Sequence, residues 1–372
     1  MSLKYFIWMM ISLVALEISS LASSLKDSMS FGINSYSDNA DVQVYSPTFS
    51  LFKKVSHQWM LGFKMRIDTI TAASISNGAN SQRVDAVTGA SRAEGTLFDD
   101  VRYAPTLMAT YDDGKNMLSF GAYYSKEADY TGRAVFVNYV RQLNEQNTAL
   151  GIGISQSFDY WYPVFDRELP RDDRKEGKID LSLNQLITPG FSLQGVFSYM
   201  YSEGFLSSPY HYVLQDGFAK FENYPQTRTG KAFALKGVYL LNPDNAMNFS
   251  YRYYTDDWDI KSHTVNIEEL HDFSSHFTSG LRLRYYTQTK SNFVKALGSY
   301  RVNDPYFAID YRMSAFDSYT IGLPFIYKTS KGDKVTASID YYQTSKNDYI
   351  KNWYGVDSIK AVFTTLTYEF EY

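Results

Sequence analysis

The chain has 372 residues, and 36 Lys and Arg against 40 Asp and Glu leave a formal net charge of −4, with no basic surplus for nucleic acid. It carries 33 Tyr and 25 Phe but no Cys, which excludes disulfides, cysteine-held zinc, iron–sulfur ligation and CxxCH haem attachment.

Residues 1–22 read as a secretory signal peptide. Lys4 supplies the positive charge, Tyr5 to Leu16 the short apolar run, and Ser20-Leu21-Ala22 the small-x-small cleavage site. Glu17 interrupts the run before it reaches the roughly 20 apolar residues of a membrane helix. No later stretch approaches a spanning helix, and residues 23–372 are expected to form a single domain.

After residue 27 the dominant period is two. Met247, Phe249, Tyr251 and Tyr253 share one face of a strand, with Asn248, Ser250, Arg252 and Tyr254 on the other. Phe277, Leu281, Leu283 and Tyr285 oppose Thr278, Arg282, Arg284 and Tyr286 in the same way. So do Val335, Ala337, Ile339 and Tyr341 against Thr336, Ser338, Asp340 and Tyr342. Tight turns are predicted at 112–115, 144–147, 188–190, 242–245 and 331–333. They alternate with longer polar segments at 73–103, 161–178, 204–230 and 292–315. Short turns at one end and long loops at the other are the asymmetry of short periplasmic turns and long extracellular loops. A membrane protein without spanning helices must close its sheet, because lipid offers no partner to an open edge. The fold expected is all-β: a transmembrane antiparallel β-barrel of about 16 strands, with 73–103 or 204–230 the candidates to fold inward as a plug.

The last strand carries a further signal. Leu366, Tyr368, Phe370 and Tyr372 alternate with Thr367, Glu369 and Glu371. This resembles the C-terminal signature recognised by the barrel-assembly machinery, which implies that machinery and outer-membrane lipid as partners. The location implied is the outer membrane of a Gram-negative bacterium.

Two groups of residues stand out as site candidates. Asp85-Ala86-Val87-Thr88-Gly89-Ala90-Ser91 is a near-repeat of 68–74 and is similar to the motif at which periplasmic flavin transferases attach FMN. That resemblance makes Ser91 the nucleophilic hydroxyl that holds FMN through a phosphoester. Asp85, Thr88, Gly89 and Ala90 would be recognition residues, and Ser74 is the weaker copy because Ala72 replaces the glycine. The other group is a basic stripe on polar strand faces, with Arg252, Arg282 and Arg284 on nearby strands and Lys236 two strands earlier. Such a stripe selects anions or seats a phosphate, unless lumen carboxylates such as Asp340 or Glu369 neutralise it. Asp256, Asp257 and Asp259 form a weak cation cluster at a loop, and the pair His271 and His276 brackets a short turn. Neither meets the ligand count of a good metal site. No catalytic Ser/His/Asp order, P-loop or dinucleotide fingerprint is present, so an enzyme is not expected.

A wider resemblance is carried by 125–130 (SKEADY), 204–210 (GFLSSPY), 224–229 (YPQTRT), 251–258 (YRYYTDDW), 284–289 (RYYTQT) and 312–316 (RMSAF). Together these resemble the bacterial outer-membrane family of domain of unknown function 3570, over nearly the whole mature chain. The resemblance implies a barrel, and its association with flavin transferases draws interest to Ser91. Two function classes fit: a redox-associated barrel carrying covalent FMN on Ser91, or a cofactor-free channel for a small solute. A structural or assembly component of the outer membrane is the third.

Overall fold

A computed structural model describes residues 26–72, 98–161, 172–208 and 211–372, with the backbone of the two-residue strands Arg83–Val84 and Ser91–Arg92 between them. The predicted signal peptide lies outside the described residues. Sixteen strands form one closed antiparallel barrel. They are β1 (Ser28–Asp38), β2 (Val42–Lys54), β3 (Trp59–Ala72), β4 (Phe98–Asp112), β5 (Asn116–Lys126), β6 (Tyr130–Leu143), β7 (Thr148–Trp161) and β8 (Asp172–Thr188). The circuit continues through β9 (Phe191–Gly204), β10 (Thr227–Asn242), β11 (Asn245–Asp256), β12 (Lys261–Asp272), β13 (Phe277–Gln288), β14 (Phe316–Lys328), β15 (Lys334–Thr344) and β16 (Lys360–Glu371). The alternating C-terminal segment is the closing strand, pairing with β1 from Ser28↔Glu371 to Asp38↔Ala361. Closure leaves no unpaired sheet edge.

The alternation sorts side chains as expected of a wall between lipid and water. Val135, Val137, Ile152, Ile154, Leu181, Leu183, Leu281, Leu283, Ile321 and Leu323 all stand exposed on the outer face. Aromatic residues flank this belt at both ends. Trp59 packs on Tyr111 with ring centroids 5.3 Å apart near the turns, while Tyr285 stacks on Tyr319 at 6.1 Å near the loops. An apolar band between two aromatic girdles is the outer surface of a bilayer-spanning barrel.

All five predicted tight turns fall at the end that holds both termini, where 55–58 and 273–276 join them. Short polar side chains close several of these turns on their own backbone. The Asp113 carboxylate accepts from Lys115 N at 2.9 Å and Asn116 N at 2.6 Å around Gly114, whose φ is 83°. Two of the predicted loops are shorter than expected. β4 starts inside 73–103 and β8 inside 161–178, because their charged residues face the lumen and pair there. Arg174 bonds Glu176, Lys178 bonds Asp180 at 2.8 Å, and Arg102 bonds Asp68.

The opposite end is capped. Segments 205–208, 211–226, 289–315 and 345–359 fold over the barrel mouth and bury Tyr300, Ala308 and Ile350 completely. Of the two segments expected as candidates to fold inward, 204–230 contributes to this cap over the mouth, with two partners that the alternation gave no sign of, while most of 73–97 lies outside the described residues. The segment 205–226 contributes a hairpin of Tyr212–Gln215 and Phe218–Phe221. The segment 345–359 contributes a helix, α1 (Asp348–Tyr354), whose N-cap Asn347 accepts from Tyr349 N at 2.9 Å and whose C-cap Gly355 sits at φ 72°.

Candidate functional site

The lumen below the cap is a cavity of about 1080 Å³, walled by strands and roofed by residues of the cap, among them Tyr224, Asp310 and Arg312. Nine Lys and Arg side chains line it against five Asp and Glu. Arg66 and Arg228 pair with Asp68 and Asp256 outside the lining, which leaves an excess of two in a chain whose overall charge is −4. Each of the five carboxylates is already held. Glu176, Asp180 and Asp310 bond Arg174, Lys178 and Arg312, while Glu268 and Asp340 share Arg282 at 2.6 and 3.1 Å.

All four residues of the predicted basic stripe line this cavity. The strand register shows how they sit. Lys236, Ser250, Asn266, Arg284 and Thr320 form one row across β10–β14, and Ala234, Arg252, Thr264 and Tyr286 form the next row toward the cap. Lys236 is therefore on the strand beside Arg252, not two away, because the chain between them makes only the short turn at 243–244. Arg282 meets the expected fate of a lumen cation and is neutralised by Asp340, as well as by Glu268. Gly322 lies between Arg282 and Asp340 on the intervening strand. A Cβ there would stand 1.9 Å from Asp340 Oδ1, so only glycine lets the two side chains meet across β14. Glu369 is exposed and takes no part in the stripe. Among the described residues no carboxylate lies within 4.0 Å of Lys236 or Arg252, and Arg252 rests 5.3 Å from the ring of Tyr254.

The roof of the cavity is organised around Glu222, which is buried. Its Oε1 accepts the backbone N–H groups of Ile309 and Asp310, the latter at 2.7 Å. Its Oε2 accepts Tyr224 Oη–H at 2.8 Å and lies 3.1 Å from His211 Nδ1. One carboxylate thus ties 205–226 to 289–315. Burial opposes ionisation of the neighbouring Asp310, yet the Arg312 guanidinium outweighs it and holds that carboxyl below its ordinary value. Gln288 fastens the roof to the wall by donating to Arg312 O at 2.8 Å and Ser314 O at 2.7 Å.

The family model described as "Protein of unknown function (DUF3570)" matches residues 13–172 and 164–370. The chain belongs to this family. Among solved structures, a bacterial polysaccharide outer membrane secretin shares the fold at a TM-score of 0.53 and 7% identity, covering 94% of this chain and 99% of its own. The outer membrane channel DcaP of Acinetobacter baumannii (TM-score 0.46, 11% identity, 94% and 96% covered) is also similar. So is the P. putida toluene transporter TodX (TM-score 0.45, 10% identity, 95% and 92% covered). No match was found among curated proteins.

Among the remaining candidates of this DUF3570 chain, Asp85, Thr88, Gly89, Ala90 and Ser74 lie outside the described residues. Ser91 is placed by its backbone alone, paired with Val84. The partial second copy begins in the wall itself. Asp68 is fully buried on β3, where Arg66 donates to it at 2.7 Å and Arg102 clamps its other oxygen. Asp256 is likewise committed, to Arg228 at 2.5 Å and to Trp258 N and Ile260 N at 3.0 Å each, so the acidic loop cluster is a turn anchor. His271 bonds Asn245 Oδ1 at 2.8 Å, and His276 lies within hydrogen-bond reach of Ser275. Among the described residues no group of three metal-ligating side chains converges.

Proposed function

We propose that the chain is an outer-membrane channel for small anionic solutes, with the lumen face of β10–β13 as its selective wall. The observation that carries this is the cation excess of the cavity, with Lys236 and Arg252 lacking any carboxylate partner among the described residues. Cations held in a narrow, partly desolvated lumen draw counter-ions from either side and repel like charge. By the rule of short periplasmic turns, the capped end faces outward and the turn end faces the periplasm. The cap then acts as the barrier a solute has to pass.

The test is a reversal potential. In planar bilayers under a potassium chloride gradient, the barrel should favour chloride, and Lys236→Glu with Arg252→Glu should shift the potential toward potassium. A parent channel that favours potassium would sink the proposal. Covalent FMN on Ser91 is a separate proposal resting on the Asp85–Ser91 motif alone. Its test is the intact mass of protein co-expressed with a flavin transferase, where one FMN should be gained by the parent chain and not by Ser91→Ala.

A further inference from the structure

The cavity has two unlike sectors. The first is the cationic wall of β10–β13. The second, running from β13 round to β1, is a connected set of rings that all line the same space. Tyr286 packs on Phe316 at 5.6 Å and Phe316 on Tyr311 of the roof at 5.4 Å. Beside them, Tyr342 meets Phe363 at 6.2 Å and Phe363 meets Tyr36 at 4.9 Å. Two of the phenol groups are tied back to the protein. Tyr286 Oη donates to Gln288 Oε1 at 2.6 Å and Tyr36 Oη to Asp38 Oδ2 at 2.5 Å. What these two offer a ligand is therefore ring surface rather than a free hydroxyl.

The seam between the sectors falls at Tyr286. It sits on the same row as Arg252, with only Thr264 between them, and one lumen position from Arg284 on its own strand. Toward β7 the Arg252 row continues through Ala234, Val196, Ser182 and Gly151, all small or short. Those side chains leave room beside the guanidinium. An anion placed there meets a planar fork of donors, which suits a carboxylate in a bidentate pair. The remainder of a ligand then extends along the rings, where an aromatic group gains offset or edge contacts that an aliphatic group does not.

We infer that the solute is an aromatic carboxylate, its carboxylate on Arg252 beside Lys236 and its ring against Tyr286 and Phe316. This deepens the channel proposal by naming the solute class for the same cavity. The test is equilibrium dialysis of the full barrel in detergent with radiolabelled benzoate, with folding of each variant checked by its heat-modifiable gel band. Unlabelled benzoate should compete about tenfold better than cyclohexanecarboxylate, and acetate, inorganic phosphate and benzyl alcohol should compete weakly. Arg252→Gln should weaken retention about tenfold, and Tyr286→Leu by a smaller factor. Equal competition by acetate or phosphate, or no retention of benzoate, overturns the inference while the reversal-potential result stands. Benzoate retention by a barrel that favours potassium would instead overturn the channel proposal and leave the ligand class intact.

Discussion

The two ends of this barrel solve the same problem, closing a sheet against water, by different means. At the turn end each connection is a few residues long, and several are satisfied locally by an Asp, Asn, Ser or Thr oxygen on nearby backbone N–H groups. At the loop end three distant segments build apolar cores, one around Tyr300 and Ile309, one around Trp258 and Phe293, one around Ile350 and Tyr354. The turn end depends on the strand ladder and is expected to be as stable as the wall. The loop end has its own packing and its own buried carboxylate, so it can loosen while the wall stays intact. Barrier and wall are thereby separable.

The largest effect should come from Glu222→Ala. It removes the acceptor of Ile309 N, Asp310 N, Tyr224 and the nearby His211 at once and leaves them buried. Breaking one side of a buried polar cluster costs about 3–5 kcal/mol. Hydrogen exchange should show protection lost across 289–315 and kept in β10–β13, with a rise in unit conductance. Equal loss in the strands would show that cap and wall form one cooperative unit.

Acid should act at the same place with less force. The Asp310 carboxyl is held below its ordinary value of 3.8 by Arg312 against the pull of burial. Its contribution is therefore fully present above about pH 3.8 and is lost as pH falls through the depressed value. Cap amides should keep their protection down to that region and lose it below. In Arg312→Ala, the largest opposition to burial is gone and the loss should begin at a higher pH. An onset that does not move would mean that Asp310 does not set it.

The wall was legible in the sequence because period two is written into each strand. The faces read for 247–254, 277–286 and 335–342 are the ones observed, and Arg252, Arg282 and Arg284 were placed on the lumen side by alternation alone. The strand count and the closing role of Leu366–Tyr372 follow from the same pattern. The cap was not legible for the opposite reason. Its cores join Val213 to Phe307 and Tyr224 to Phe293, positions with no common period. The signal that was available is local: Asn347 before Asp348, and Gly355 seven residues on, mark a short helix by its caps. Charge misled at β4 and β8, where ions that face a lumen look like those of a solvated loop. The partners of Glu222 had no sequence signal, since two of its four contacts are to backbone N–H groups of another segment and the other two follow no period.

In the wall, Gly322→Val should give an intermediate effect. The new side chain overlaps Asp340 and separates it from Arg282, an ion pair at 3.1 Å. Overpacking of this kind costs about 1–3 kcal/mol, while the pair itself, part-exposed to the lumen, contributes about 1 kcal/mol or less. The gel band should shift to its unfolded position at lower temperature, with cap protection unchanged. The double variant Gly322→Val, Asp340→Ala should recover most of the loss, since it removes the overlap. A cap that loosens along with the wall would contradict the separation of the two.

The smallest effect is expected at the seam beside the termini. Glu371 and Lys26 form an ion pair at 2.8 Å, but their side chains are 58% and 56% exposed, and salt and water screen it. The seam is held instead by the ladder from Ser28↔Glu371 to Asp38↔Ala361, with Phe31 facing Tyr368 and Ile33 facing Leu366 on the outer surface. Glu371→Gln should therefore leave the temperature of the band shift where it is, at low salt and at high. A loss at low salt alone would assign the seam's strength to the charge pair and would make the turn end, like the cap, dependent on a single carboxylate.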